Sequence, residues 1–74
     1  MRFNQLPMIY NVDKIRLYRN NRLIAEKWVG GHSILWYFQE DEYTKMYLTY
    51  LIDNMSIVIE GALSEIIVLE IILK

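Results

Sequence analysis

The last ten residues, 65 to 74, read Glu-Ile-Ile-Val-Leu-Glu-Ile-Ile-Leu-Lys. A β-branched run this apolar cannot stand as a solvent-exposed sheet edge, where it would template aggregation. Any fold of this chain has to cover that segment, with neighbouring strands of its own sheet, with a helix made from residues 41 to 53, or with a second copy of the chain. The requirement is sharp because the chain is short. Its 74 residues form one domain, and at that size only roughly 60% of the surface exposed by the unfolded chain is buried on folding. Cysteine is absent, so disulfides and zinc-thiolate clips cannot supplement the core. The chain has apolar mass instead, 54% hydrophobic residues and 11 isoleucines, and a homo-oligomer is the expected complement.

Residues 1 to 12 read as an N-terminal arm holding the only proline, Pro7, ahead of a single small β-rich domain over 13 to 74. From 14 to 29 the chain is rich in Ile, Leu, Tyr, Trp and Val around Asn20-Asn21, residues that tolerate the positive φ of a tight turn, and this predicts a β-hairpin. A three-residue turn would set Arg16 opposite Glu26. After Gly30-Gly31, residues 33 to 38 are apolar on both faces, as in a central strand, and Gln39-Glu40-Asp41-Glu42 ends them.

Residues 43 to 52 read two ways. Tyr43, Met46, Tyr47, Tyr50 and Leu51 recur at helical spacing, yet three tyrosines and two threonines suit a strand, and Asp53-Asn54 would then turn it into residues 55 to 59. That turn would pair Ile52 with Met55 and Tyr50 with Ile57, an apolar face against a mixed one, which favours the strand. Gly61-Ala62-Leu63-Ser64 turns the chain once more. The expected fold is mainly β, a small antiparallel meander or open barrel of five to six strands. The alternative is an α+β fold, β-β-β-α-β-β, with a helix near 41–53.

The catalytic inventory is thin. His32 is the single histidine, and its neighbour Ser33 would point to the opposite side of an extended chain, so the two make a poor dyad. Gly30-Gly31-His32-Ser33 lacks the spacing and lysine of a phosphate-binding loop. Glu40-Asp41-Glu42 are consecutive and cannot converge on a cation. No enzyme, no metal and no cofactor is expected. Glu60, Glu65 and Glu70 interrupt the apolar C-terminal stretch at a spacing costly in a bilayer, and no export signal is legible at the N-terminus, so the expectation is a cytoplasmic protein with no membrane partner.

One feature stands above background. Residues 1 to 32 carry a net charge of +4 and residues 33 to 74 a net of −5. Opposite charges meeting a protein partner or a second subunit would use them for steering and register. Aromatics dominate binding hot spots, so the candidate partner-binding residues are Arg16, Tyr18, Arg19, Arg22 and Trp28 on the hairpin, with Tyr43 and Tyr47. The leading expectation is a small non-catalytic binding protein, an inhibitor or adaptor that occludes a surface of a protein partner, of the phage or mobile-element kind that low-GC composition suggests. An oligomer that sequesters a small anionic ligand such as a nucleotide is the alternative. A single-stranded nucleic-acid binder is the weaker one, because a net charge of −1 lacks the basic excess of such modules.

Overall fold

Asn20 and Asn21 take positive φ values of 53° and 61°, the pair of left-handed residues that a two-residue turn needs to match strand twist. They join β1 (Lys14–Arg19) to β2 (Arg22–Trp28) in the expected hairpin. The turn is one residue shorter than the reading that set Arg16 against Glu26. A bulge restores that pairing: Tyr18 faces Leu23, whereas Leu17 faces Ala25 and Arg16 faces Glu26, leaving Ile24 as the extra residue. A computed structural model describes residues 1–6, 11–30, 32–63 and 65–74 of the chain. Pro7 of the expected arm, Gly31 and Ser64 lie outside the described residues.

Residues 33–38 correct the sequence reading. They form not a central strand but a short helix, α1 (Ile34–Gln39), whose N-cap Ser33 hydroxyl accepts the Trp36 N–H at 3.3 Å. After Ser33, a five-residue run apolar on every side, 34–38, has no period to separate helix from strand. The cap decides locally, and Ile34 and Phe38, four residues apart, both enter the core. The following stretch is neither the strand nor the long helix over 41–53. The Asp41 carboxylate, held by Lys27 at 2.7 Å, accepts the Tyr43 N–H at 2.9 Å and starts a turn. A 3-10 helix, Lys45–Thr49, follows. Buried Thr44 donates its hydroxyl to the Phe38 carbonyl at 3.2 Å and ties this segment to the end of α1.

Asp53-Asn54 is not a turn either. Both residues lie in β3 (Ile52–Glu60), where the register shifts between Ile52 and Asn54, so the expected facing pairs of Ile52 with Met55 and Tyr50 with Ile57 do not form. The chain reverses after Gly61, at φ 102°, and returns as β4 (Ile66–Leu73). Strand order is β2-β1-β4-β3, with β4 parallel to β1 and antiparallel to β3. The fold is thus mainly β, with one helix and a four-stranded mixed open sheet in place of a five- or six-stranded meander. The apolar C-terminal run is covered by its own sheet, a strand on each side.

One face of the sheet carries the core. Ile15, Leu17, Leu69, Ile71 and Leu73 pack beneath Phe3, Leu6, Ile34, Phe38 and Leu48. Phe3 meets Phe38 edge-on, ring centres 4.9 Å apart, so the described start of the N-terminal arm is part of the core. Among the described residues no helix is long and apolar enough to cross a membrane.

Candidate functional site

Strand alternation divides the candidate residues between the two faces of the sheet. On the face away from the core, Arg16 and Tyr18 of β1 stand beside Glu26 of β2, Glu70 of β4 and, one strand further, Glu60 of β3. The Arg16 guanidinium grips Glu60 with two N–H groups, one of them at 2.5 Å from Oε1. Its Nε donates to Glu26 at 2.6 Å, and Glu70 lies 3.5 Å away. Lys14 Nζ lies 3.6 Å from Glu26 and 3.7 Å from Glu60, and 4.7 Å from the centre of the Trp28 ring. Tyr18 donates its hydroxyl to Glu70 at 3.1 Å.

This network fixes protonation states. The Arg16 hydrogen bonds hold Glu60 and Glu26 below the usual carboxylate range, and the two carboxylates raise the Arg16 guanidinium in turn. Burial, reinforced by Glu70, pushes the Tyr18 phenol up. Half of the six cations of the basic half are taken up inside the fold: Lys14 and Arg16 in this network, and Lys27 with Asp41 elsewhere, each pair with carboxylates, most of them from the acidic half. Arg16 and Tyr18 are therefore engaged inside the chain, and Trp28, 60% exposed, sits at the far end of β2 from the turn.

The other four candidates converge. Arg19 ends β1 and Arg22 opens β2, opposite each other across the hairpin. Their register places them on the face of Leu17, toward the 3-10 segment. Tyr47 approaches from that segment and Tyr43 from the turn before it, and together with Asn20, Leu23 and Ile24 the four line an open cleft of about 490 Å³. Arg19 is held in place. Its guanidinium lies 4.9 Å from the centre of the Tyr50 ring, Nε donates to the Lys74 carbonyl at 3.0 Å, and Tyr50 packs edge-on against Tyr47 at 5.1 Å. Arg22 is exposed and makes no ion pair among the described residues. Tyr43 is 70% exposed and Leu23 52%. Among the described residues no carboxylate lines the cleft.

Two cations and two phenol rings make a wall whose chemistry suits anionic and flat apolar groups together. Sequence reading identified both arginines and both tyrosines but missed Asn20, Leu23 and Ile24. Leu23 carried a usable signal, a large apolar residue beside the hairpin turn; Ile24 did not, because its place depends on the bulge. His32 stacks on Trp36 with ring centres 4.0 Å apart. Among the described residues, no three His, Cys, Asp or Glu side chains cluster as metal ligands. Neither a known protein family, a curated protein nor a solved structure matches the chain.

Proposed function

We propose that this chain is a non-catalytic binding protein of the cytoplasm, an inhibitor or adaptor that occludes a surface of a protein partner through the Arg19–Arg22–Tyr43–Tyr47 cleft. The partner segment is acidic and carries an aromatic or aliphatic residue. The observation that supports this is Arg22, an exposed arginine with no ion pair among the described residues, sharing the cleft with exposed Tyr43, while Lys14, Arg16 and Lys27 are all paired within the fold. A pinned Arg19 beside a free Arg22 gives one preorganised and one adaptable donor.

The test is a titration of the isotope-labelled protein with short acidic peptides, with and without an aromatic residue, followed by amide NMR shifts. Acidic-aromatic peptides are expected to move Asn20, Arg22, Tyr43 and Tyr47. Arg22→Glu is expected to weaken them by roughly tenfold or more, the range of a lost charge-assisted hydrogen bond, without changing the rest of the spectrum. If no acidic peptide moves the cleft, the reading fails. A second reading, sequestration of a small anionic ligand such as a nucleotide, draws on the cleft volume of about 490 Å³, which falls within the roughly 300–1,000 Å³ of ligand pockets. ATP moving the same amides more strongly than any peptide would replace the first reading with the second.

A further inference from the structure

The two edges of the sheet are built differently. β2 carries Arg22, Glu26 and Lys27 and a bulge, the devices with which natural sheets blunt an edge. β3 has none of these between its start and its closing Glu60. Residues 54 to 59 read Asn-Met-Ser-Ile-Val-Ile, without charge or proline. Among the described residues the N-terminus covers only the start of its outer side, where the Ile52 N–H donates to the Met1 carbonyl and the Phe3 N–H to the Tyr50 carbonyl, both at 2.8 Å. From Asn54 onward no described residue pairs with that outer edge. Ile57 and Ile59 share the face of Leu69 by register, yet they are 55% and 61% exposed, because the layer above the sheet does not reach them.

We propose that the β3 edge pairs with the same edge of a second copy, antiparallel about Ile57, joining two four-stranded sheets into one of eight strands. Directly opposed residues of an antiparallel pair share a face. Centring on Ile57 therefore sets Ile57 against its own copy, Met55 against Ile59, Ser56 against Val58 and Asn54 against Glu60. Apolar residues then meet apolar residues along one face.

The neighbouring registers are worse. Centring on Ser56 places Ile59 against Asp53 and brings Glu60 to Ile52, whose N–H Met1 already occupies. Centring on Val58 moves Met55 to Gly61 and shortens the ladder. About Ile57 the two Glu60 carboxylates stand six residues apart along the strand, about 20 Å at ~3.4 Å per residue, well beyond the ~8 Å over which exposed charges act.

A like-to-like contact also closes on itself, whereas β3 against β2 of another copy would propagate without limit. Seven paired residues make a contact about 24 Å long and one strand spacing, about 4.8 Å, across, an area well short of the ~800 Å² per partner of a standard interface. The dimer is accordingly weak and concentration-dependent, in the micromolar range or above.

The absence of cysteine makes the register testable. In the proposed dimer an Ile57→Cys variant opposes its own thiol with Cα atoms ~4.5–5.5 Å apart, inside the span of a disulfide. Mild oxidation is expected to give a covalent dimer, while Leu23→Cys on the β2 edge stays monomeric. Sedimentation of the unmodified protein from micromolar to millimolar concentration should show the mass rising toward twice the monomer. Ile57→Lys, at an exposed site, should abolish that rise, with the reduced Ile57→Cys variant as the control for folding. A monomer throughout the range, or equal cross-linking at the two edges, would overturn the proposal.

Discussion

At the scale of the residue, arginines close in sequence have opposite tasks. Arg16 sits among Glu26, Glu60 and Glu70 and binds the first two directly, so Arg16→Ala leaves Glu26 and Glu60 with Lys14 and Glu70 with the Tyr18 hydroxyl, three carboxylates repelling one another around one lysine. Arg22 has no such partners. Urea denaturation is expected to show a clear fall in midpoint for Arg16→Ala and a change within about 0.5 kcal/mol for Arg22→Ala, the range of an ordinary surface substitution. Similar losses for the two variants would mean that the network does not stabilise the fold. Composition could not separate them. Both read as basic hairpin residues, and only the strand register, which puts Arg16 on the face of Glu70 and Glu60, assigns Arg16 to the fold and leaves Arg22 without an ion pair among the described residues.

Among the elements, the first hairpin was the most legible because its signal is local: Asn20-Asn21 between two apolar runs states both the turn and its φ. Asn21→Val is expected to destabilise the protein by about 1–2 kcal/mol, the penalty for a Cβ-bearing residue forced into the left-handed region, whereas Asn21→Gly should be tolerated. Thermal or chemical melts of the two variants decide this, and equal stability would mean the turn relaxes. The middle of the chain was illegible for the converse reason. Residues 34–38 are apolar all round, and their helix is decided by the Ser33 cap and by packing of Phe38, which is fully buried against Phe3. Phe38→Ala is expected to cost about 3–5 kcal/mol, measured by the same melts, a loss that a peripheral helix would not show. Asp53-Asn54 misled because residues suited to a turn also suit a bulge, and only the pairing of β3 with β4 distinguishes the two.

Across the whole molecule, the basic and acidic halves of the sequence fold against each other, and that closure should be visible in the dependence of stability on pH. Glu26 and Glu60, held down by Arg16, and Asp41, held down by Lys27, titrate in the folded state below their ordinary values of 4.5, 4.5 and 3.8. A depressed carboxylate stabilises fully above its unfolded value, and the contribution is lost as pH falls through the folded one. Tyr18 has the opposite sign. Its phenol is raised from an ordinary 10.0 by burial and by Glu70, so its contribution is complete below 10.0 and disappears as pH rises through the folded value. Melting temperature against pH should therefore show a plateau between these limits, an acid limb and an alkaline one. Glu60→Gln removes one of the depressed carboxylates and should flatten the acid limb while leaving the alkaline limb in place; Tyr18→Phe should do the reverse. High salt acts in the same direction as Glu60→Gln, but more weakly, because short hydrogen-bonded ion pairs are screened less than separated charges. An acid limb identical in the parent and in Glu60→Gln would locate the acid sensitivity elsewhere and leave the Arg16 cluster without a part in closing the two halves.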